Sequence, residues 1–409
     1  MKNKYRFLFA GAMFGGNASL FESMREVVSA RDDIESTWLL MESYPRELIA
    51  RIPPFSWNWT LKGGLSMRSR VRAKEKEGLQ FDAVFFNHLI PAIFLNEFRK
   101  RIPSIIAMDA TPTLLDLYGK WYDVSPASRV KSLEKLKFSL ARAAYLDAKF
   151  LMPCSEWVAE SLRRDYGVPN ERIHMTPEGI NIAKWIPPRQ PKAARGPVRV
   201  LFIGSDFMRK GGDLVLNLAA LEEFRACEFH FLSYNGFRPR SENVIIHSNI
   251  RPNTDDLKRL YEQSDIFVLP SRGDLSPVAI LEAMAMELPV ISTNVGGIRE
   301  LVAEGVTGYV IPPDDEEALT HRLRTLVKDE SLRRRFGIEA RIAVERRFDL
   351  QKNINTIIDH LKKSTESSQR NRGSIAQAAP LSVSTPLDAT ALLALDQCFS
   401  IVRDMPLCL

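Results

Sequence analysis

Short apolar runs alternate along the chain with stretches of helical spacing. One series holds Tyr5 to Ala10 (YRFLFA), Thr37 to Met41, Ala83 to Asn87 and Ser104 to Met108. A second holds Val198 to Gly204 (VRVLFIG), Phe229 to Ser233, Val244 to His247, Ser264 to Pro270 (SDIFVLP) and Leu288 to Ser292. Continuous apolar runs of this length predict parallel strands buried on both faces. Between them, Val130, Leu133, Leu136, Leu140, Ala143 and Ala144 form one stripe of a helix over Arg129 to Asp147. KFLMPCSEWVAESLRRDYGVP reads as a strand and then a helix capped by Ser155. Thr254 to Gln263, Glu316 to Val327 and Glu330 to Arg347 predict further helices. Strands alternating with helices predict an α/β fold with doubly wound parallel sheets.

The proline-rich, pattern-poor Trp185 to Pro197 divides the two series. The predicted organisation is a Rossmann-like domain over residues 1–185, a linker at 186–197 and a second such domain over 198–348. An amphipathic helix follows at 349–363, with Ile354, Ile357, Ile358 and Leu361 on one stripe. The tail, 364–409, reads as disordered until about Thr390, and its last, more apolar piece is long enough for a short docking helix.

The chemistry concentrates in Ser271 to Glu300, SRGDLSPVAILEAMAMELPVISTNVGGIRE. After the strand at Ser264 to Pro270, a helix is expected with Ser276 as N-cap and Pro277 at its first position. Asp274 lies in the loop and Glu282 on the helix, eight positions on. A helix N-terminus offers free amides to an anion, and a carboxylate accepts from sugar hydroxyls. A nucleotide sugar carries both groups. The bland alternative is an ordinary loop acid and a helix-surface acid. Arg209 and Lys210 stand beside Gly211 and Gly212 where a strand hands over to a helix, placed to neutralise a diphosphate or simply solvated. His88 and Asp109 end two strands of the first series, at the edge where such sheets bind ligands.

At 409 residues the chain exceeds one ordinary core, so two domains are expected. A net charge of +6 favours anionic partners, but no nucleic-acid motif accompanies it. The basic run Met67 to Lys76 (MRSRVRAKEK) is a solvated helix face or a patch for an anionic lipid surface. Cys154, Cys227, Cys398 and Cys408 have no metal spacing and fit a reducing cytoplasm, at most peripheral to the inner membrane face. No run is long and apolar enough to span a bilayer. Gly11, Gly15 and Gly16 follow the first strand, but their spacing is not the dinucleotide fingerprint, which disfavours a dehydrogenase. Asp32-Asp33 and Asp314-Asp315 lie in surface-like segments, so no metal site is expected.

DLSPVAILEAMAMELPVISTNVGGIRELVAEGVTGYVIPPDD resembles the E-x7-E segment of the retaining GT-B glycosyltransferases, family 4, also termed group 1. The resemblance implies two Rossmann-like domains facing a cleft, the first on the acceptor side and the second binding the donor. It implies that Asp274 and the amides of Leu275, Ser276, Pro277 and Val278 hold the donor sugar and diphosphate, and that Glu282 holds the ribose. Lys210 and Gly211 match the family's phosphate-binding "KG" element. Ser205 stands where the family has an arginine, with Arg209 as its substitute, and Asp109 where the family often has a histidine. Gly15 and Gly16 would let backbone approach donor phosphate or acceptor. Glu287 replaces the glycine that usually closes the family's helix. Tyr234 to Gly236 and Ile250 to Pro252 fall on loops where the fold places the base. The implied activity is retaining transfer of a sugar from a nucleotide-diphosphate sugar to a glycan or lipid-linked acceptor, with no further cofactor and no metal. Catalytic candidates are His88, Asp109, Lys210 and Asp274. An epimerase or hydrolase on the same fold, or a non-catalytic binding subunit, are the rivals.

Overall fold

The computed structural model describes residues 4–12, 16–41, 59–122, 131–187, 196–233, 238–239 and 241–375. It contains two parallel sheets. The first runs β1 (Tyr5–Ala12), β2 (Ile34–Met41), β3 (Ala83–Phe86), β4 (Ser104–Met108) and β5 (Phe150–Pro153), in spatial order β2-β1-β3-β4-β5. The second runs β6 (Arg199–Ile203), β7 (Glu228–Leu232), β8 (Val244–His247), β9 (Ile266–Leu269), β10 (Val290–Thr293) and β11 (Gly308–Ile311), in order β11-β10-β9-β6-β7-β8. Each sheet starts its chain in the middle and reverses direction beside that strand, which opens a crevice at the carboxyl ends.

The alternation along β1 shows why the first sheet needs cover on both faces. Phe7 and Phe9 pack with Phe21, Met24 and Val28 on one side, while Leu8 and Ala10 pack with Ala141, Tyr145 and Val158 on the other. The helix Leu350–Ile375 closes the first of these faces: Ile354, Ile357, Ile358 and Leu361 are buried among Phe7, Phe9 and Phe85. At about 1.5–3 kcal/mol per buried aliphatic side chain, this stripe fastens the chain's end to the sheet of its beginning. The second sheet is enclosed by one continuous core of its own.

Several expected boundaries move. The closing helix runs to Ile375 rather than stopping at Lys363. β10 starts at Val290, because Pro289 has no N–H and contributes only its carbonyl to Phe267. β2 starts three residues before Thr37, at Ile34, whose side chain is buried. The basic run lies on the helix Trp59–Lys76, with Met67 and Val71 buried and Arg72 and Lys76 exposed. Glu287 takes φ +58, the left-handed conformation its glycine-replacing position demanded. Most of the linker and the final stretch, residues 188–195 and 376–409, lie outside the described residues.

Candidate active site

The loop from Pro270 to Pro277 crosses the carboxyl end of the second sheet between β9 and the helix Val278–Ala285. Asp274 is buried there. Ser271 Oγ donates to its carboxylate at 3.2 Å, the Leu275 amide donates at 3.1 Å, and Lys210 Nζ forms an ion pair with it. Arg209 Nη1 lies 4.0 Å away. The two cations arrive from the turn after β6. Gly211, at φ +76, makes that turn possible: a Cβ there would lie 2.2 Å from the Pro270 carbonyl oxygen. Arg209 is held by Asp206, donates to the Gly273 carbonyl at 2.8 Å and to the Tyr122 hydroxyl at 3.3 Å, and lies 4.8 Å above the Tyr122 ring. Both cations therefore converge on Asp274.

Tyr122 belongs to the first lobe, and its neighbours also reach across. Tyr118 Oη accepts from the Gly296 amide at 3.0 Å. Trp121 packs against Gly273, and Leu275 is buried within the first lobe's core. Glu300 accepts from the Glu156 and Trp157 amides at 2.8 and 3.0 Å, capping the helix Glu156–Arg164 from the opposite lobe. Gly296, at φ +54, lets its loop lie on the Asp274 carbonyl, where a Cβ would be 2.1 Å away. The site thus sits in a seam that both lobes build.

Four titratable groups in and around the site depart in character from ordinary surface residues. Burial lowers the pKa of His88, and the Asp109 charge only partly opposes this. His88 Nδ1 accepts from the Ile90 amide at 3.3 Å, capping the helix Leu89–Ala92, so the neutral ring carries its proton on Nε2. Burial raises Tyr122, with Asp274 adding to the effect. Burial pushes Glu282 up to about 7 even though Tyr261 Oη donates to it at 2.8 Å. Glu178 is pushed up to about 8, first by burial and then by the Asp109 charge.

Two expectations at the helix start are corrected. Ser276 is not the N-cap: Pro277 is, with φ −73 and ψ 112, and no side chain caps it. Ser276 instead lies close enough to Glu178 of the other lobe to favour its carboxylate form. Of the four residues assigned to an amide cradle, Pro277 has no N–H, and the Leu275 amide already bonds Asp274. Ser276 and Val278 remain. Ser205 is exposed just after β6, and Gly204 before it packs on the Lys210 side chain. Gly16 opens the helix Gly16–Ser29, while Gly15 and Tyr234 to Gly236 lie outside the described residues. Sequence reasoning missed Tyr261, Glu178 and Glu300 as partners. Glu178 alone had a signal, in its place at the end of the first series of strands.

No group of three or more metal-ligating side chains gathers among the described residues, and Cys154 and Cys227 are free thiols. No helix among the described residues is long and apolar enough to cross a membrane.

Residues 29–184 match Glycosyltransferase Family 4, and residues 239–343 match glycosyl transferases group 1. The chain is 30% identical over 200 residues to the amylovoran biosynthesis glycosyltransferase AmsK of Erwinia amylovora, covering 45% of this chain and 49% of that protein. It spans about half the length of the curated relatives first matched, 46% and 49%. Among solved structures, sucrose-phosphate synthase from Thermosynechococcus elongatus superposes with a TM-score of 0.69 at 16% identity, covering 89% of this chain and 100% of that one. Anabaena HepE in complex with UDP-glucose superposes with a TM-score of 0.63 at 14% identity, covering 88% and 99%. The fold is GT-B, and in both halves of its sequence the chain resembles the glycosyltransferases of family 4 and group 1.

Proposed function

We propose that the protein transfers a sugar, with retention of anomeric configuration, from a nucleotide-diphosphate sugar to a hydroxyl of a glycan or lipid-linked acceptor in polysaccharide biosynthesis. The observation that carries this is the convergence of Lys210 and Arg209 on Asp274 in the seam. Two cations drawn to one buried carboxylate supply the positive field a diphosphate needs. As the bond between the sugar's anomeric carbon and the diphosphate oxygen breaks, charge develops on that oxygen. Lys210, Arg209 and the Ser276 and Val278 amides are disposed to stabilise it. An incoming diphosphate competes with Asp274 for the cations and releases that carboxylate to accept from sugar hydroxyls. Glu282, on the following helix, is the acceptor for ribose hydroxyls, which requires its ionised form. The cationic side chains take the role a divalent metal fills in other transferases. The first lobe, with Tyr118, Trp121 and Tyr122 at the seam, takes the acceptor. Relatives described as polysaccharide biosynthesis glycosyltransferases support this reading. So does the likeness to a structure binding UDP-glucose.

The test is incubation with radiolabelled UDP-, GDP- and ADP-sugars and a lipid and glycan extract. Label moving to lipid or glycan is expected. Free sugar alone points to a hydrolase, an isomerised donor to an epimerase, and saturable binding without turnover to a binding subunit.

A further inference from the structure

One short segment of the first lobe carries three aromatic side chains across the seam. Its base is the helix Pro112–Leu117, capped by Thr111. The Thr111 hydroxyl accepts from the Leu114 amide at 3.3 Å and lies 2.7 Å from Ser161 Oγ, which ties the segment to the helix Glu156–Arg164. A single turn, Gly119–Trp121, then brings Tyr118, Trp121 and Tyr122 to the second lobe. Tyr118 Oη accepts from the Gly296 amide at 3.0 Å. Trp121 packs so closely that a Cβ on Gly273 would lie 2.9 Å from its Cδ1. Tyr122 meets Arg209: its ring centroid is 4.8 Å from the guanidinium carbon, and its hydroxyl accepts from Nη1 at 3.3 Å.

A guanidinium holds five N–H donors in one plane. Asp206 takes the donor on Nε at 3.1 Å. The Gly273 carbonyl and the Tyr122 hydroxyl take the two on Nη1, at 2.8 and 3.3 Å. Asp274 stands 4.0 Å from Nη1, beyond hydrogen-bond reach. Nη2 has no partner among the described residues and keeps both donors for an anion. Asp206 and Gly273 are second-lobe residues, so Tyr122 is the first lobe's hold on this plane. We propose that Tyr122 is a positioning residue for the donor diphosphate, acting through Arg209: it fixes the guanidinium from the first lobe, so that Nη2 is presented to the diphosphate while the lobes are together. This rests on the donor site of the proposed function and adds a first-lobe residue to it. Parting of the lobes withdraws Tyr122, returns rotamer freedom to Arg209 and loosens the diphosphate product.

The experiment is calorimetric binding of UDP, GDP and ADP to the full chain, to Tyr122→Leu, to Arg209→Gln and to the double variant. For whichever nucleotide binds, Tyr122→Leu is expected to weaken Kd about tenfold, the scale of a desolvated cation–π contact with its hydrogen bond. In the Arg209→Gln background the same change is expected to cost less than about twofold, because the group it positions is gone. Tyr122 serving only as seam packing would weaken both backgrounds alike, so equal losses overturn the proposal, as does an unchanged Kd in Tyr122→Leu. Tyr122→Phe keeps the ring against Arg209 and removes only the hydroxyl, a change the fold tolerates. It is expected to lose about threefold with Arg209 present and nothing with Arg209→Gln; a loss equal in both also overturns the proposal. These outcomes leave the donor site standing. Absence of binding by all three nucleotides to the unaltered protein overturns the donor-site reading itself, and this one with it.

Discussion

Glu282 should cost the protein stability for the sake of its site, and Glu282→Gln should return it. The side chain sits on the helix Val278–Ala285 with Tyr261 Oη 2.8 Å from Oε2. Burial raises its pKa from 4.5 to about 7. The folded state therefore binds this proton more tightly than the unfolded state. The stability linked to it is complete below pH 4.5, is lost as pH rises through about 7, and stays lost above. The difference of about 2.5 units corresponds to a cost of about 3 kcal/mol at pH 8, an upper figure because the side chain keeps some contact with water. Glutamine has the same shape, accepts from Tyr261 as before and carries no charge. Its gain should be near zero at pH 4 and as much as about 3 kcal/mol at pH 8. Denaturant unfolding of the second lobe at the two pH values, followed for both proteins, reads this directly. Donor affinity should move the opposite way, falling at pH 8 because the amide is the weaker acceptor for ribose hydroxyls. A gain equal at both pH values would refute the reasoning, since a packing effect does not titrate.

Lys210→Met should lower kcat/KM about 10²- to 10³-fold at saturating acceptor, the scale for losing one stabiliser of transition-state charge; a loss under tenfold in steady-state assays sinks its role. Glu287→Gly should stabilise the protein by up to about 1 kcal/mol by relieving the left-handed backbone at φ +58, read as a raised denaturation midpoint. Gly211→Ala should destabilise by at least about 2 kcal/mol, because its Cβ would sit 2.2 Å from Pro270 O, and should weaken nucleotide binding in the protein that remains folded. Transfer should survive excess EDTA, with initial rates unchanged within twofold against an untreated control.

The sheets were legible because a strand buried on both faces must be apolar throughout, as FLFA in β1 and IFVL in β9 are. Their ends were less so, since Ile34 to Ser36 carry mixed polarity and join β2 through pairing with Tyr5 to Phe7. The cations, Asp274 and Glu282 stood out as candidates because the turn, the loop and the helix that carry them have their own local chemistry. Glu282's partner was not, because Tyr261 is 21 positions away and meets it only when its helix docks. Ser276 shows a local rule failing: Pro277 takes ψ 112, outside the helical range, so the helix opens one residue later and Ser276 cannot cap it. Whatever depended on the meeting of the lobes was invisible in a linear reading.

The proposed donor site carries its own pH limb. There Glu282 accepts from ribose hydroxyls as a carboxylate, a fraction that grows as pH rises through about 7. Nucleotide affinity should therefore rise across that range and level off above it. Tyr261→Phe removes a hydrogen bond that favours the Glu282 carboxylate, worth about 1.5–3 kcal/mol to a charged partner, so the limb should move up by about one to two units. Nucleotide Kd measured from pH 5.5 to 9.5 in the unaltered protein, in Tyr261→Phe and in Glu282→Gln separates these effects. A limb that stays in place in Tyr261→Phe, or persists in Glu282→Gln, refutes its assignment to Glu282.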